Sequence, residues 1–246
     1  MNFLRRWKTL FIFEIKSMRL FGMQILISMV ILPFILLLLL LLQPGSHTLN
    51  QKTVLITGYI VASLLGVYLN VYAITVANLM LPEVLELYAV LPIRRREVIG
   101  AGAAIYTFLV LPQVIIASGI LLGHYPLVAM LNFVVSLLWV MFSLVIWAVW
   151  LGLRIRYYVA MGVLPFISWV MLLITPIYYD VAVMPGWAFV ASMLNPLFHY
   201  VLILRQPLQV SNFPIGLSWG ISLLFVGILL IGIRQRIKEM YILETL

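Results

Sequence analysis

Long apolar runs separated by short polar segments make up most of the chain, and this pattern predicts membrane-spanning helices. A helix needs about 20 apolar residues to cross the hydrocarbon core of a bilayer, and six runs meet this requirement. The predicted spans cover residues 21–42, 54–80, 102–122, 127–150, 158–178 and 213–233. The pattern therefore indicates an all-α integral membrane protein that forms a single transmembrane domain over residues 1–246.

The first 20 residues differ from the spans, because basic and apolar side chains are interleaved there. Basic residues on one face of a helix favour anionic head groups, while apolar residues on the other face enter the interface. We therefore expect an amphipathic helix on the inner leaflet, with a basic end that only sets the topology as the alternative. The basic residues are Arg5, Arg6, Lys8, Lys16 and Arg19.

Composition supports the membrane assignment. The chain is 65% hydrophobic and 9% charged, whereas a soluble domain has roughly 45–50% apolar and about 25% charged residues. The absence of cysteine excludes disulfides, thiolate metal sites and a cysteine nucleophile. A net charge of +8 would suggest nucleic acid for a soluble protein, but membrane topology accounts for it here and we expect no nucleic-acid partner.

The distribution of lysine and arginine predicts the orientation. With the N-terminus inside, every basic residue except Lys52 and Arg205 lies at the inner ends of the spans. Cytoplasmic loops carry an excess of these residues. We therefore expect both termini in the cytosol. The N-terminus is not predicted to be a signal peptide, since its apolar run is too long and lacks a cleavage site.

A polar segment at residues 79–102 interrupts the apolar pattern between the second and third predicted spans. A cluster of this size must lie outside the hydrocarbon, and the orientation places it in the cytosol. Residues 83–88 are predicted to form a short helix that Pro82 opens and Pro92 ends. Such a helix is either a docking device or part of an ordinary loop whose arginines follow the positive-inside rule. The charged residues of the polar segment at 79–102 are Glu83, Glu86, Arg94, Arg95, Arg96 and Glu97.

A second unusual segment covers residues 180–211 on the predicted outer side. Pro185, Pro196 and Pro207 interrupt it too often for an ordinary span. We expect one or two short interfacial or re-entrant helices that are joined at Asn195–Pro196.

Motifs for catalysis and nucleotide binding are missing. The chain has no GxxxxGK[ST], GxGxxG, HExxH or GxSxG, and its three histidines are far apart. We therefore assign no catalytic, cofactor or metal residue. The spans offer no charged pair for ion coupling, so energy for active transport would enter through a partner. A stand-alone secondary carrier or channel is the alternative, and a membrane-embedded enzyme is a third reading.

Two stretches resemble the permease subunits of type-2 ATP-binding cassette (ABC) exporters, the ABC-2 family. The polar segment keeps the spacing of a glutamate, a proline and a second acid in Glu86, Pro92 and Glu97. The second stretch resembles the family's signature before the last span. It is carried by Pro176, Tyr178, Tyr179, Pro185, Trp187, Asn195, Pro196 and Arg205.

The resemblance implies an exporter subunit in the cytoplasmic membrane of a prokaryote. Such a subunit pairs with a second permease, identical or related. Two cytosolic ATP-binding cassette subunits hold ATP and Mg and supply the energy. The substrate leaving the cytoplasm would be amphipathic: a drug, a lipid, a peptide or a lipid-linked glycan.

The resemblance also suggests residue roles. The polar segment at residues 79–102 would provide the coupling helix. Leu85, Tyr88 and Leu91 would fill a groove of the ATPase, and Pro92 would belong to the same contact. Glu83, Glu86 and Glu97 would pair with basic residues of the ATPase, while Arg94, Arg95 and Arg96 hold the loop at the lipid head groups. The segment Asp180 to Arg205 would form an outer gate flanked by Tyr178 and Tyr179, or a cap that only seals the dimer. Candidate substrate walls include Tyr59, Tyr68, Tyr72 and Trp169.

Overall fold

The computed structural model describes residues 31–42, 48–89, 95–179, 184–210 and 213–244, with isolated positions 9, 11, 12, 16 and 181. Within these ranges every regular element is helical, which confirms the predicted all-α class. Several predicted features lie outside the described residues. They are most of the N-terminal surface helix at 1–20, the first part of span one at 21–30, the loop at 90–94 and Asp180.

Ten α-helices are present in the described part of the chain, together with one π-helix and one 3-10 turn. They are α1 (Leu32–Leu42), α2 (Leu49–Val67), the π-helix (Tyr68–Tyr72), α3 (Ala73–Asn78), α4 (Pro82–Ala89), α5 (Arg95–Leu122), α6 (Leu127–Arg154), α7 (Tyr157–Ile174), α8 (Gly186–Met193), α9 (Pro196–Arg205), the 3-10 turn (Gln206–Leu208) and α10 (Ile215–Glu244).

Five of the helical segments are long and apolar enough to cross a membrane, and a sixth is added if the bent pair α8–α9 counts as one span. The five are Leu49–Asn78, Arg96–Leu122, Leu127–Arg154, Tyr157–Ile174 and Ile215–Ile237. Helix α1 is the described part of the predicted first span. This set of helices is that of a multi-pass membrane protein.

Several helix boundaries differ from the predicted ones. Helices α6 and α10 extend to Arg154 and Glu244, beyond the predicted ends at 150 and 233. Helix α2 begins at Leu49 instead of residue 54, because Thr48 caps it. The Thr48 side chain accepts the backbone N–H of Gln51, and the Gln51 side chain accepts the backbone N–H of Thr48, which is a capping box. Helix α5 begins at Arg95 instead of residue 102, so Arg95 and Arg96 belong to its first turn. Helix α7 ends at Ile174 instead of residue 178, because Thr175 precedes a proline and is extended at ψ 137°.

The second span, formed by α2, the π-helix and α3, lies at the centre of the molecule. It packs against α1, α5, α6, α7 and α9. Gly152 of α6 permits a close approach to α3, since a Cβ there would lie 2.6 Å from the carbonyl oxygen of Ala73. Helix α7 is peripheral, and Tyr158, Phe166 and Trp169 are exposed on its outer face. The second span therefore connects the two ends of the molecule.

Candidate functional site: the broken hairpin and the short helix

Helices α8 and α9 form a hairpin that bends by 96° at a two-residue break. Asn195 caps α9, with its side-chain oxygen accepting the backbone N–H of Leu197 at 3.1 Å. Pro196 occupies the first turn of α9, where its missing N–H is not needed. Pro185 stands at the N-cap of α8. The prolines thus separate two short helices, as the sequence predicts.

The bend is attached to the end of α7 by side-chain hydrogen bonds. The Asn195 Nδ2 donates to the carbonyl oxygen of Met171 at 2.9 Å and to the Thr175 Oγ1 at 2.8 Å. The Ser192 Oγ donates to the carbonyl oxygen of Ile174 at 2.6 Å. The carbonyl oxygen of Ile174 lies in the last turn of α7, where carbonyl groups have no acceptor role within the helix, whereas that of Met171 also accepts the backbone N–H of Thr175. The hairpin and α7 are therefore one connected unit.

Arg205 ends α9 and joins the hairpin unit to the second span. Its side chain is 1% exposed. The Nη2 donates to the carbonyl oxygens of Ile177 at 2.6 Å and Val54 at 3.2 Å. The Nη1 donates to the carbonyl oxygen of Tyr179 at 3.2 Å, and the Nε donates to the Thr57 Oγ1 at 3.1 Å. A buried cation needs such a shell of acceptors, and this one holds two segments against α9.

Gly58 allows the loop after α7 to lie directly on α2. A Cβ at this position would overlap the carbonyl oxygen of Ile177, the group that also accepts from Arg205. Any side chain here would push this loop away from the second span. The sequence shows Gly58 only as one of several small residues, so this contact was not predicted.

The predicted gate residues divide into an exposed and a buried set. Trp187 is 77% exposed, and Tyr178 and Tyr179 are 41% and 39% exposed. Pro185 is exposed as well, whereas Pro176 is buried beneath the loop. The hairpin therefore presents an aromatic surface and buries its polar attachments.

His199 is a packed residue of α9. Its side chain is fully buried, with the Nε2 2.9 Å from the carbonyl oxygen of Met193. The Nδ1 lies 3.5 Å from the Ser218 Oγ on α10. One helical turn further along, the Trp139 Nε1 donates to the Ser222 Oγ at 2.7 Å. These serines connect α6, α9 and α10 along one seam.

The tyrosines of the second span connect it to α5. The Tyr72 OH donates to the carbonyl oxygen of Ile99 at 2.8 Å. The hydroxyls of Tyr68 and Thr107 are 2.8 Å apart. The Tyr59 OH donates to the Gln113 Oε1 at 3.3 Å. Tyr59, Tyr68 and Tyr72 are at most 1% exposed, whereas the fourth proposed wall residue, Trp169, is 65% exposed.

The π-helix interrupts the middle of the second span. It contains Asn70, whose side-chain oxygen is buried and has no hydrogen-bond partner among the described residues. The Gln113 Nε2 on α5 is also buried without a partner there. Since π-helical turns occur frequently at functional sites, this polar position inside an apolar span is notable. The sequence contains Asn70 but gives no sign of the π-helix.

The short helix α4 is present where the sequence predicts one. Glu83 and Glu86 are exposed on it, whereas Glu97 is 7% exposed in the first turn of α5. The three predicted acidic contacts therefore do not share one surface. Arg96 is exposed. The side chains of Leu85, Tyr88 and Arg95, and all of Leu91, Pro92 and Arg94, lie outside the described residues.

A hydrogen-bonded turn joins α4 to the second span. The backbone N–H groups of Leu79, Met80 and Leu81 each donate at 3.1 Å, to the carbonyl oxygens of Thr75, Ala77 and Asn78. Helix α4 therefore follows α3 without a flexible linker. A displacement of α4 would therefore act directly on the adjoining end of span two.

Comparisons of the chain with family models, with curated proteins and with solved structures find no match.

Proposed function

We propose that the chain is the membrane permease subunit of an ATP-driven exporter of the ABC-2 type. The observation that carries the proposal is helix α4, which presents Glu83 and Glu86 and is joined by a bonded turn to the central span. An exposed acidic helix in this position is suited to contact basic residues of a soluble partner. In the proposal, this partner is a pair of cytosolic subunits that hold ATP and Mg.

The arrangement of the other elements supports the same proposal. The proline-broken hairpin lies between α7 and α10, which is the position that the resemblance implies for it. The basic side chains of Arg96, Arg154 and Arg156 are exposed at helix ends that the positive-inside rule assigns to the cytosol. In the proposal, these ends and both termini face the cytosol of a prokaryotic cell.

The packing offers a route for the motion. Helix α3 contacts both α6 and α7, and the absent side chain of Gly152 brings α3 and α6 close together. In the proposal, ATP binding displaces α4, and the second span passes the displacement to these helices. At the opposite end the same span meets Arg205, so the displacement reaches the hairpin. A second permease subunit, identical or related, would complete the path for an amphipathic substrate.

One observation favours a second candidate, a stand-alone secondary carrier. Such carriers bind substrate at interrupted helices inside the membrane. The π-helix with Asn70 and the bent pair α8–α9 are interruptions of this kind. In this candidate no ATPase is needed, and α4 is an ordinary cytosolic loop.

Purification of the tagged chain from its native membranes distinguishes the two candidates. We expect a soluble protein with a phosphate-binding GxxxxGK[ST] loop to co-purify in mild detergent. The double substitution Glu83→Gln and Glu86→Gln should reduce its recovery about fivefold or more, since two exposed charge pairs are each worth up to about 1 kcal/mol. Arg156→Gln is the matched control, because it removes one exposed charge from the same predicted face outside α4.

A second experiment tests coupling. Substitution of both Glu86 and Pro92 should leave ATP hydrolysis by the partner intact while transport by the reconstituted complex is lost. Recovery of the chain alone, with transport in liposomes that does not require ATP, would instead establish the secondary carrier. Normal ATP-driven transport by the double variant would refute the role of α4.

A further inference from the structure

A cavity of about 220 Å³ lies between α1, α2 and α5, at the end of the molecule opposite to Arg154 and Arg156. Two polar residues lie on its wall, Lys52 in the first turn of α2 and His124 after the end of α5. The remaining wall is aliphatic and consists of Leu41, Leu49, Ile56, Ile120 and Leu121. The cavity therefore combines a hydrocarbon wall with one cation.

The position of Lys52 is unfavourable without a bound anion. A helix N-terminus carries positive partial charge, so a lysine in the first turn is repelled by it. The backbone N–H of Lys52 donates to the carbonyl oxygen of Thr48, which places the residue in this turn. No acidic side chain in the described part of the chain pairs with the Lys52 ammonium. A negatively charged ligand would be attracted by both the ammonium and the helix end.

The two polar residues are held together by their neighbours. The hydroxyls of Thr53 and Tyr125 are 2.7 Å apart, and Thr53 is fully buried. Thr53 follows Lys52 in the chain, and Tyr125 follows His124. The Thr53 Oγ1 also donates a hydrogen bond of 2.8 Å to the carbonyl oxygen of Leu49. The bond between Thr53 and Tyr125 fixes the turn after α5 to the start of α2 and keeps both polar residues on one cavity.

We propose that this cavity binds an anionic phospholipid of the leaflet that faces away from the arginine-rich loops. The lipid phosphate lies at Lys52 and His124, and an acyl chain lies against the aliphatic wall. A free phosphate ion would use only the polar residues, so the apolar wall argues for a lipid. The site is separate from α4 and from the hairpin, and it does not depend on the proposed export function.

Photolabelling in lipid nanodiscs tests the site. Phosphatidylglycerol and phosphatidylcholine, each with a diazirine in the acyl chain, are compared as probes, and labelled peptides are mapped by mass spectrometry. We expect labelling of residues 49–56 and 120–124, with phosphatidylglycerol favoured about fivefold, since one lysine contributes about 1 kcal/mol to binding of anionic lipid. Equal labelling by the two lipids would overturn the proposal, as would loss of labelling in excess inorganic phosphate.

Paired variants separate the site from general lipid contact. Lys52→Gln should abolish the preference for phosphatidylglycerol, and Lys52→Arg should retain it. Arg156→Gln removes a charge at the opposite end and should leave the mapped labelling unchanged. Ile120→Trp fills the cavity and should abolish labelling. Ile116→Trp is the matched control and should leave labelling intact. Ile116 lies one turn away on the same helix and is 43% exposed, against 41% for Ile120. Equal effects within either pair would refute the site.

Discussion

The guanidinium of Arg205 donates a 2.6 Å hydrogen bond to the carbonyl oxygen of Ile177, which lies 28 residues earlier in the chain. The same Nη2 atom reaches the carbonyl oxygen of Val54 on α2. One buried cation thus holds the end of the hairpin, the loop after α7 and the second span together. Any motion of the hairpin relative to span two must break or rearrange these bonds.

Replacement of Arg205 should therefore loosen the hairpin. Arg205→Leu removes the donor from the buried carbonyl oxygen of Ile177, and a buried polar group left unsatisfied costs about 1–3 kcal/mol. We expect the detergent-solubilised variant to lose its monodisperse peak at a clearly lower temperature than wild type in size-exclusion chromatography. Thr57→Val removes only one of the acceptors of Arg205 and should cost about 1 kcal/mol. An Arg205→Leu variant as stable as Thr57→Val would show that the buried cation does not hold the hairpin.

Gly58 offers a test of the same contact from the other side. Gly58→Ala places a methyl group on the carbonyl oxygen of Ile177, and overpacking of this kind costs about 1–3 kcal/mol. Gly66→Ala on the same helix meets no atom within 4 Å and should be neutral or gain up to about 1 kcal/mol from helix propensity. Thermal unfolding of both variants in the same detergent measures the difference. Similar midpoints would mean that the loop after α7 does not lie on α2.

Hydropathy predicts most of the helices because it is a sum over many residues. The spans at 102–122 and 127–150 both lie inside observed helices, and the errors at Leu49 and Ile174 arise at a cap and at a proline. Local signals of a few atoms decide such ends. They shift a boundary by several residues without changing the presence of the helix.

The contacts within the candidate site could be predicted only in part. Asn195–Pro196 marks the bend because capping and proline chemistry are local. The acceptors of Arg205 could not be predicted, since they are backbone carbonyls that any residue supplies and Val54 lies 151 positions away. Likewise, the buried state of Glu97 and of Tyr59, Tyr68 and Tyr72 depends on how α2 and α5 pack. Residue type alone gives no information on that packing.

The proposed orientation can be measured directly because the chain contains no cysteine. Single variants Lys52→Cys and Arg156→Cys introduce thiols at opposite ends of the molecule. A membrane-impermeant maleimide added to intact cells should label Cys at 52 and should label Cys at 156 only after the membrane is opened. This labelling pattern follows from the positive-inside rule, which places the end with Arg156 in the cytosol and the end with Lys52 outside. The reverse pattern would place α4 outside the cell and would remove the basis for an ATPase contact.

Asn70 provides a test of whether water enters the second span. Its side-chain oxygen is buried without a partner among the described residues, although nearly all buried polar groups are hydrogen-bonded. We therefore expect water to reach this position in the membrane, and Asn70→Cys should react with a hydrophilic maleimide. Leu69→Cys is the matched control, since the neighbouring Leu69 is fully buried in the apolar core. Reaction of Asn70→Cys at least about tenfold faster than Leu69→Cys, a difference of about 1.4 kcal/mol, would identify a hydrated path at the π-helix. Equal protection of both thiols would show that Asn70 is a structural residue. That result would count more strongly against the secondary carrier than against the ATP-driven exporter.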